Sequence, residues 1–237
     1  MANQLFFKRV ALLGFFVLFA SGFIFIKPTH AQTAGTPTFL ITWKASNSYI
    51  PSFYQGKALP SYSSNITASL ELISNGKILN ISGQTIYWYL NNTLIGGGTG
   101  VQQVTFIPFG APPNSEALSV RLPQFNGHFI AHEIALPFSD PVAVIYAPYS
   151  NNTFSTNPIT LNALPYFFNT PSAANLSYSW TVNRQMGTNT ENPQEAQITL
   201  PQGTPSGTNL DISITIENPV GSTVATADQT LTYQSQL

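Results

Sequence analysis

The sequence predicts an all-β protein, with two antiparallel sandwiches in tandem behind an N-terminal signal or anchor helix, and three observations predict it. First, a strand pattern centred on a tryptophan occurs twice, as Thr85-Ile86-Tyr87-Trp88-Tyr89-Leu90-Asn91-Asn92 and as Leu176-Ser177-Tyr178-Ser179-Trp180-Thr181-Val182-Asn183. Side chains in a strand alternate between faces, so Ile86, Trp88 and Leu90 share one face and each copy reads as a central strand with its tryptophan buried. Second, the chain past residue 31 consists of short alternating segments punctuated by Asn-Gly, Gly and Pro, with no sustained helical periodicity. Third, charged residues make up 7% of a chain that is 43% hydrophobic and 13% aromatic. About 25% charged is usual, so Ser, Thr, Asn and Gln must wet this surface, as they do in exported β proteins. Short strands, regular turn signals and a central-strand tryptophan together specify an immunoglobulin-like sandwich.

Residues 1–31 have the layout of an export signal: Lys8 and Arg9, an apolar run from Val10 to Ile26, then Lys27-Pro28-Thr29-His30-Ala31. Thr29 and Ala31 fall at the small-residue positions of a cleavage site before Gln32. The apolar run also reaches the short limit of a spanning helix, ~17–25 residues, so the second reading is an uncleaved anchor holding the membrane through residues 5–26. Both readings place the remainder at the cell surface or in the extracellular space. Without the leader, five basic residues face nine acidic ones, a net charge of −4. Nucleic acid is therefore excluded as a partner, since phosphate neutralisation needs clustered Lys and Arg. The chain has no cysteine, which excludes thiol catalysis and cysteine-bound metal.

After a tether at 32–36, the first sandwich is expected over 37–137. Its strands begin at 38–43, cross a Pro-, Ser- and Tyr-rich irregular stretch at 46–64, and resume at 65–73, where Ile66, Ala68, Leu70 and Leu72 share one parity. Asn75-Gly76 and Asn126-Gly127 are hairpin signals. Gly96-Gly97-Gly98-Thr99-Gly100 reads as a mobile loop between the tryptophan strand and strands at 101–107, 116–122 and 128–136. Pro137-Phe138-Ser139-Asp140-Pro141 marks a short, stiff break. The second sandwich, 138–237, carries strands at 142–146, 159–164, 176–182, 196–200, 210–217 and 224–233. Ile66 to Ile159 is 93 positions, Trp88 to Trp180 is 92, and Val104 to Ile198, Val120 to Ile214 and Gly127 to Gly221 are each 94. So constant an offset points to a tandem duplication.

Tyr178-Ser179-Trp180-Thr181-Val182-Asn183 and Tyr87-Trp88-Tyr89-Leu90-Asn91-Asn92 resemble the central-strand motif of bacterial immunoglobulin-like and PKD-like surface domains. The layout is similar to that of uncharacterised bacterial envelope proteins with two such domains in tandem. Neither copy continues into the Gly-Asp-Gly turn usual in PKD domains. The resemblance implies adhesion, spacing or display, and brings no catalytic residues. It also brings to mind Lys-Asn isopeptide cross-links, for which Lys44, Lys57 and Lys77 are the candidates.

His128 and His132, followed by Glu133, have metal-site spacing on a helix, but four residues of strand span about 13 Å, too far for one zinc ion. The glycine run at 96–100 lacks the Lys-Ser/Thr pair of a phosphate loop. Asp140, Glu217 and Asp228 are carboxylates that a calcium ion at the junction would need. Asn65, Asn80, Asn91, Asn151 and Asn175 each open an Asn-X-Ser/Thr triplet. No catalytic set, metal or cofactor is expected. Two functions remain: a non-enzymatic spacer or adhesive, protein-binding display module of the envelope, and a carbohydrate-binding module using Tyr49, Phe53, Tyr54 and Tyr62, whose rings would offer flat faces to a polysaccharide.

Overall fold

Alternation decides the strands. Ile66, Ala68, Leu70 and Leu72 are all buried, as are Ile86, Trp88 and Leu90, while Tyr87 and Tyr89 between them are only half-buried. The computed structural model describes residues 36–61, 63–109, 115–187 and 191–235, and the expected signal or anchor segment at 1–31 lies outside them. No described helix is long and apolar enough to cross a membrane.

The first half runs through β1 (Thr38–Ala45), β2 (Ser48–Tyr49), β3 (Ile66–Ser74), β4 (Lys77–Ile78), β5 (Thr85–Leu90), β6 (Thr93–Thr99), β7 (Gln103–Phe106), β8 (Glu116–Phe125) and β9 (His128–Leu136). The second half runs through β10 (Val142–Tyr146), β11 (Thr153–Phe154), β12 (Ile159–Tyr166), β13 (Phe168–Asn169), β14 (Ser177–Val182), β15 (Gln185–Met186), β16 (Glu195–Ile198), β17 (Asn209–Asn218) and β18 (Thr223–Tyr233). The expected long strands are all present. The short ones, β2, β4, β11, β13 and β15, are too brief to leave a periodic signal.

Strand order repeats between the halves. In the first, β3 lies between β1 and β7, and the facing sheet is ordered β6-β5-β8-β9. In the second, β12 lies between β10 and β16, facing β15-β14-β17-β18, with β11 added in parallel beside the end of β18. Each pair of sheets encloses its own core. The first holds Ile66, Leu70, Trp88, Leu118, Val120 and Leu122; the second holds Leu161, Tyr178, Trp180, Ile212, Ile214 and Leu231. Trp88 sits in register with Val120 and Trp180 with Ile214, so positions equivalent by the constant offset occupy equivalent places in the two sheets. Residues from Pro37 onward form one compact unit holding both cores. Phe138 packs into the first core and Ala143 into the second, so the chain passes between cores within that interval.

The turn after each central strand is also repeated. Asn91 and Asn92 have φ of 47° and 64°, and Asn183 and Arg184 have 52° and 65°. These left-handed values make a two-residue hairpin whose twist matches its strands, and Asn adopts them more readily than most residues. The Asn91 N–H donates to the Ala117 carbonyl at 2.9 Å while its Oδ1 accepts from the Ala117 N–H at 2.9 Å. Asn183 does the same with Asp211, at 2.7 and 2.9 Å.

One expectation is corrected here. The glycine run at 96–100 is not a loop: Gly96, Gly97 and Gly98 belong to β6 and pair with Trp88, Tyr87 and Ile86 of β5. Glycine depresses strand propensity, which hid the strand, but here it admits neighbours that a side chain would exclude. A Cβ on Gly96 would lie 2.9 Å from Val104 Cγ2.

Candidate functional site

The irregular crossing at 46–64, which carries the candidate aromatics, forms the joint between the two cores. β2, which follows β1 beside the first core, pairs antiparallel with β13 beside the second, Ser48 opposite Asn169 and Tyr49 opposite Phe168. The Phe167 N–H donates to the Tyr49 carbonyl at 2.7 Å. Phe167 itself has φ of 60°, a costly value for an aromatic residue. That hydrogen bond and the burial of its ring hold it there.

Asparagines relay the contact across the joint. Asn47 Oδ1 accepts from the Asn65 N–H at 3.0 Å, at the entry to β3, and Asn47 Nδ2 donates to Asn169 Oδ1. Asn169 Nδ2 donates to the Ser63 carbonyl at 3.0 Å, and the Asn169 carbonyl accepts from Asn218 Nδ2 at 2.8 Å, at the end of β17. The Ser139 N–H donates to the Pro60 carbonyl at 3.1 Å, which ties the break between cores to the same crossing. Each such bond contributes about 0.5–1.5 kcal/mol net, so the set outweighs the flexibility of one short linker.

The structure gives the candidate aromatics separate fates. Tyr49 is half-buried in the joint sheet. Tyr54 meets Tyr166 and Phe167 edge-on, with centroids 5.6 and 5.8 Å away. Phe53 points outward, 59% exposed, and Tyr62 lies outside the described residues. Tyr49 and Tyr54 thus pack at the joint, while Phe53 faces solvent. Phe167, Phe168 and Asn169 were not singled out from the sequence, although the pair Phe167-Phe168 outside any expected strand was the available signal. The core markers Trp88 and Trp180 both lie where expected, at 0% and 4% exposure.

Other candidates disperse. His128 and His132 both lie on β9, and His132 stacks on Phe39 at 5.4 Å. Glu217 pairs with Val224 and Asp228 with Ser213, four residues apart along β18, while Asp140 sits in the break. Among the described residues, no three His, Cys, Asp or Glu are grouped to suit a metal ion. Lys57 Nζ lies 3.4 Å over the Trp43 ring, and burial lowers its pKa. Lys44 and Lys77 are exposed. Tyr178 in the second core has its pKa raised to about 12 by burial, against the opposing pull of a hydrogen bond from Gln194.

No family model matches this chain, and no curated protein matches it. Solved structures similar to it are fibronectin-III or immunoglobulin-like tandem domains. The fibronectin(III)-like modules of CbhA from Clostridium thermocellum are 16% identical over 83% of this chain and 94% of that one, with a TM-score of 0.28. Three N-terminal domains of the highly immunogenic outer capsid protein of bacteriophage RB49 are 14% identical over 84% and 59%, with a TM-score of 0.44. A C-terminal fragment of intimin, solved with the intimin-binding domain of its translocated receptor, is 16% identical over 84% and 64%, with a TM-score of 0.26.

Proposed function

We propose that this chain is a non-enzymatic, exported component of a cell envelope, membrane-anchored where the leader is retained, whose sandwiches at 37–137 and 138–237 act as a stiff spacer or protein-binding display module. The observation that carries the reading is the joint. A shared two-stranded sheet and a relay of asparagines hold the two cores at one angle, which suits a part that transmits position rather than one that closes on a substrate. A surface wetted by Ser, Thr and Asn with few charges fits the same role outside the cell.

Partner binding falls to a strand edge. Among the described residues, β1 is the outer strand of its sheet and pairs only with β3, so its far edge could take a further strand. β18 is less available, because β11 pairs with Thr232 and Tyr233 at its end. The test is protease shaving of intact cells, followed by cross-linking of the full chain in solubilised envelope. Digestion from outside and recovery of an envelope protein through β1 are expected. Protection in cells with a permeabilised outer layer, or saturable turnover in a hydrolase panel that vanished on replacing a carboxylate, would overturn the reading.

A further inference from the structure

Five Asn-X-Ser/Thr triplets run through the chain, and the fold treats one of them differently. Acceptance of a glycan needs an amide nitrogen and the hydroxyl two residues on, both open to an enzyme. In four triplets the fold has committed one of these groups. Asn175 Nδ2 donates to Thr170 Oγ1 at 3.2 Å, and the Thr67 hydroxyl that follows Asn65 shares a hydrogen bond with the Thr105 hydroxyl at 3.1 Å. The Thr153 hydroxyl that follows Asn151 donates to the Ser150 carbonyl at 2.9 Å. The Asn91 amide is held in its hairpin, where Oδ1 accepts from the Ala117 N–H at 2.9 Å.

Asn80 is placed otherwise, in the link from β4 to β5. Ile78, Asn80 and Ser82 are exposed there, while Leu79 between them is half-buried and Ile81 belongs to the first core at 1% exposure. Alternation of this kind puts the Asn80 amide and the Ser82 hydroxyl on the solvent side together. Asn80 Oδ1 accepts from the Ser82 N–H at 3.0 Å, a local turn that holds the amide beside the residue whose hydroxyl is needed. Among the described residues, neither Asn80 Nδ2 nor Ser82 Oγ has a hydrogen-bond partner. The Gln84 N–H donates to the Ile81 carbonyl at 3.0 Å, and a Cβ on Gly83 would meet nothing within 4 Å, so the turn is pinned from below and open above.

We propose that Asn80 carries an N-linked glycan, added outside the cytoplasm by a transferase from a lipid-diphosphate-linked oligosaccharide; the proposal rests on the export reading above. Asn80 Nδ2 attacks C1 of the first sugar. The Nδ2–C1 bond forms as the C1–O bond to the diphosphate breaks, the lipid diphosphate leaves with the bonding pair, and Nδ2 gives one proton to a base of the transferase. Oδ1 takes no part, so its bond to the Ser82 N–H survives the modification. Ile78 pairs with Ile73, whose neighbour on the other side is Thr38 of β1. The glycan therefore stands across β3 from the β1 edge and leaves that edge clear for a partner strand.

Mass spectrometry of the full chain, purified from the envelope of the cells that make it, tests the proposal. Trypsin releases residues 78–121, which hold both Asn80 and Asn91, and electron-transfer fragmentation tells the two apart. One oligosaccharide mass on Asn80 is expected, lost completely in Asn80→Gln and in Ser82→Ala and kept in Ser82→Thr. Both side chains are exposed, so the loss reports acceptance and not folding. A bare Asn80 in a chain that protease reaches from outside overturns the proposal and leaves the export reading standing, as does a glycan confined to the other four triplets. Protection of the chain in cells with a permeabilised outer layer overturns the export reading and this proposal with it.

Discussion

Trp88 and Trp180 each donate their indole N–H to a backbone carbonyl thirteen residues further along, that of Val101 at 2.9 Å and that of Pro193 at 3.2 Å. The acceptors differ in residue type and lie before different strands, yet each closes the same span between the central strand and the strand that returns to the facing sheet. A buried indole N–H left without an acceptor costs about 1–3 kcal/mol, so the same tether in both halves stabilises each core in the same way.

Truncating either tryptophan to alanine should leave a cavity and an orphaned carbonyl. Trp180→Ala is expected to destabilise by ~3–5 kcal/mol in denaturant unfolding of the full chain. An unchanged midpoint would remove Trp180 from the core.

Asn169 is the hub of the joint, with its side chain bonded to Asn47 and to the Ser63 carbonyl. Asn169→Ala should loosen the joint more than either core. The expected result is a broader distribution of particle lengths in small-angle scattering with tryptophan burial intact. An unaltered scattering profile would show that β2 and β13 alone hold the angle.

A Cβ on Gly97 would meet Tyr87 Cδ1 at 2.4 Å and the Ile86 carbonyl oxygen at 2.9 Å. Gly97→Ala should therefore cost about 1–3 kcal/mol. Tyr87→Ala removes the first clash, so the double variant should be less destabilised than the sum of the two singles, by ~0.5 kcal/mol or more. Strict additivity in thermal unfolding would mean that the ring does not lie over the glycine.

Tyr178 keeps its proton up to about pH 12 in the folded chain, mainly because burial disfavours the phenolate, while the ordinary value is 10.0. Between those values the unfolded chain binds fewer protons than the folded one, so stability falls as pH rises. The contribution is fully present below pH 10 and lost through about pH 12. Tyr178→Phe should flatten that part of the curve in an unfolding series from pH 9 to 12; an unchanged slope would rule out Tyr178 as its source.

Local pattern was enough to mark the long strands and both tryptophans, because burial on one sheet face imposes a period of two whatever the rest of the chain does. Turn chemistry at Asn75-Gly76 and Asn126-Gly127 was legible for the same reason: the left-handed backbone at Asn75, Gly76, Asn126 and Gly127 is a local requirement on residue type. The glycine strand at 96–98 was not legible, since its stability comes from the Tyr87 ring of a neighbouring strand and not from its own propensity. The joint was legible only as an aromatic-rich stretch in need of something to bury. That Tyr54 meets Phe167, and that Asn47 reaches Asn169 across 122 positions, was decided by how the two cores meet, a long-range contact that no local periodicity encodes.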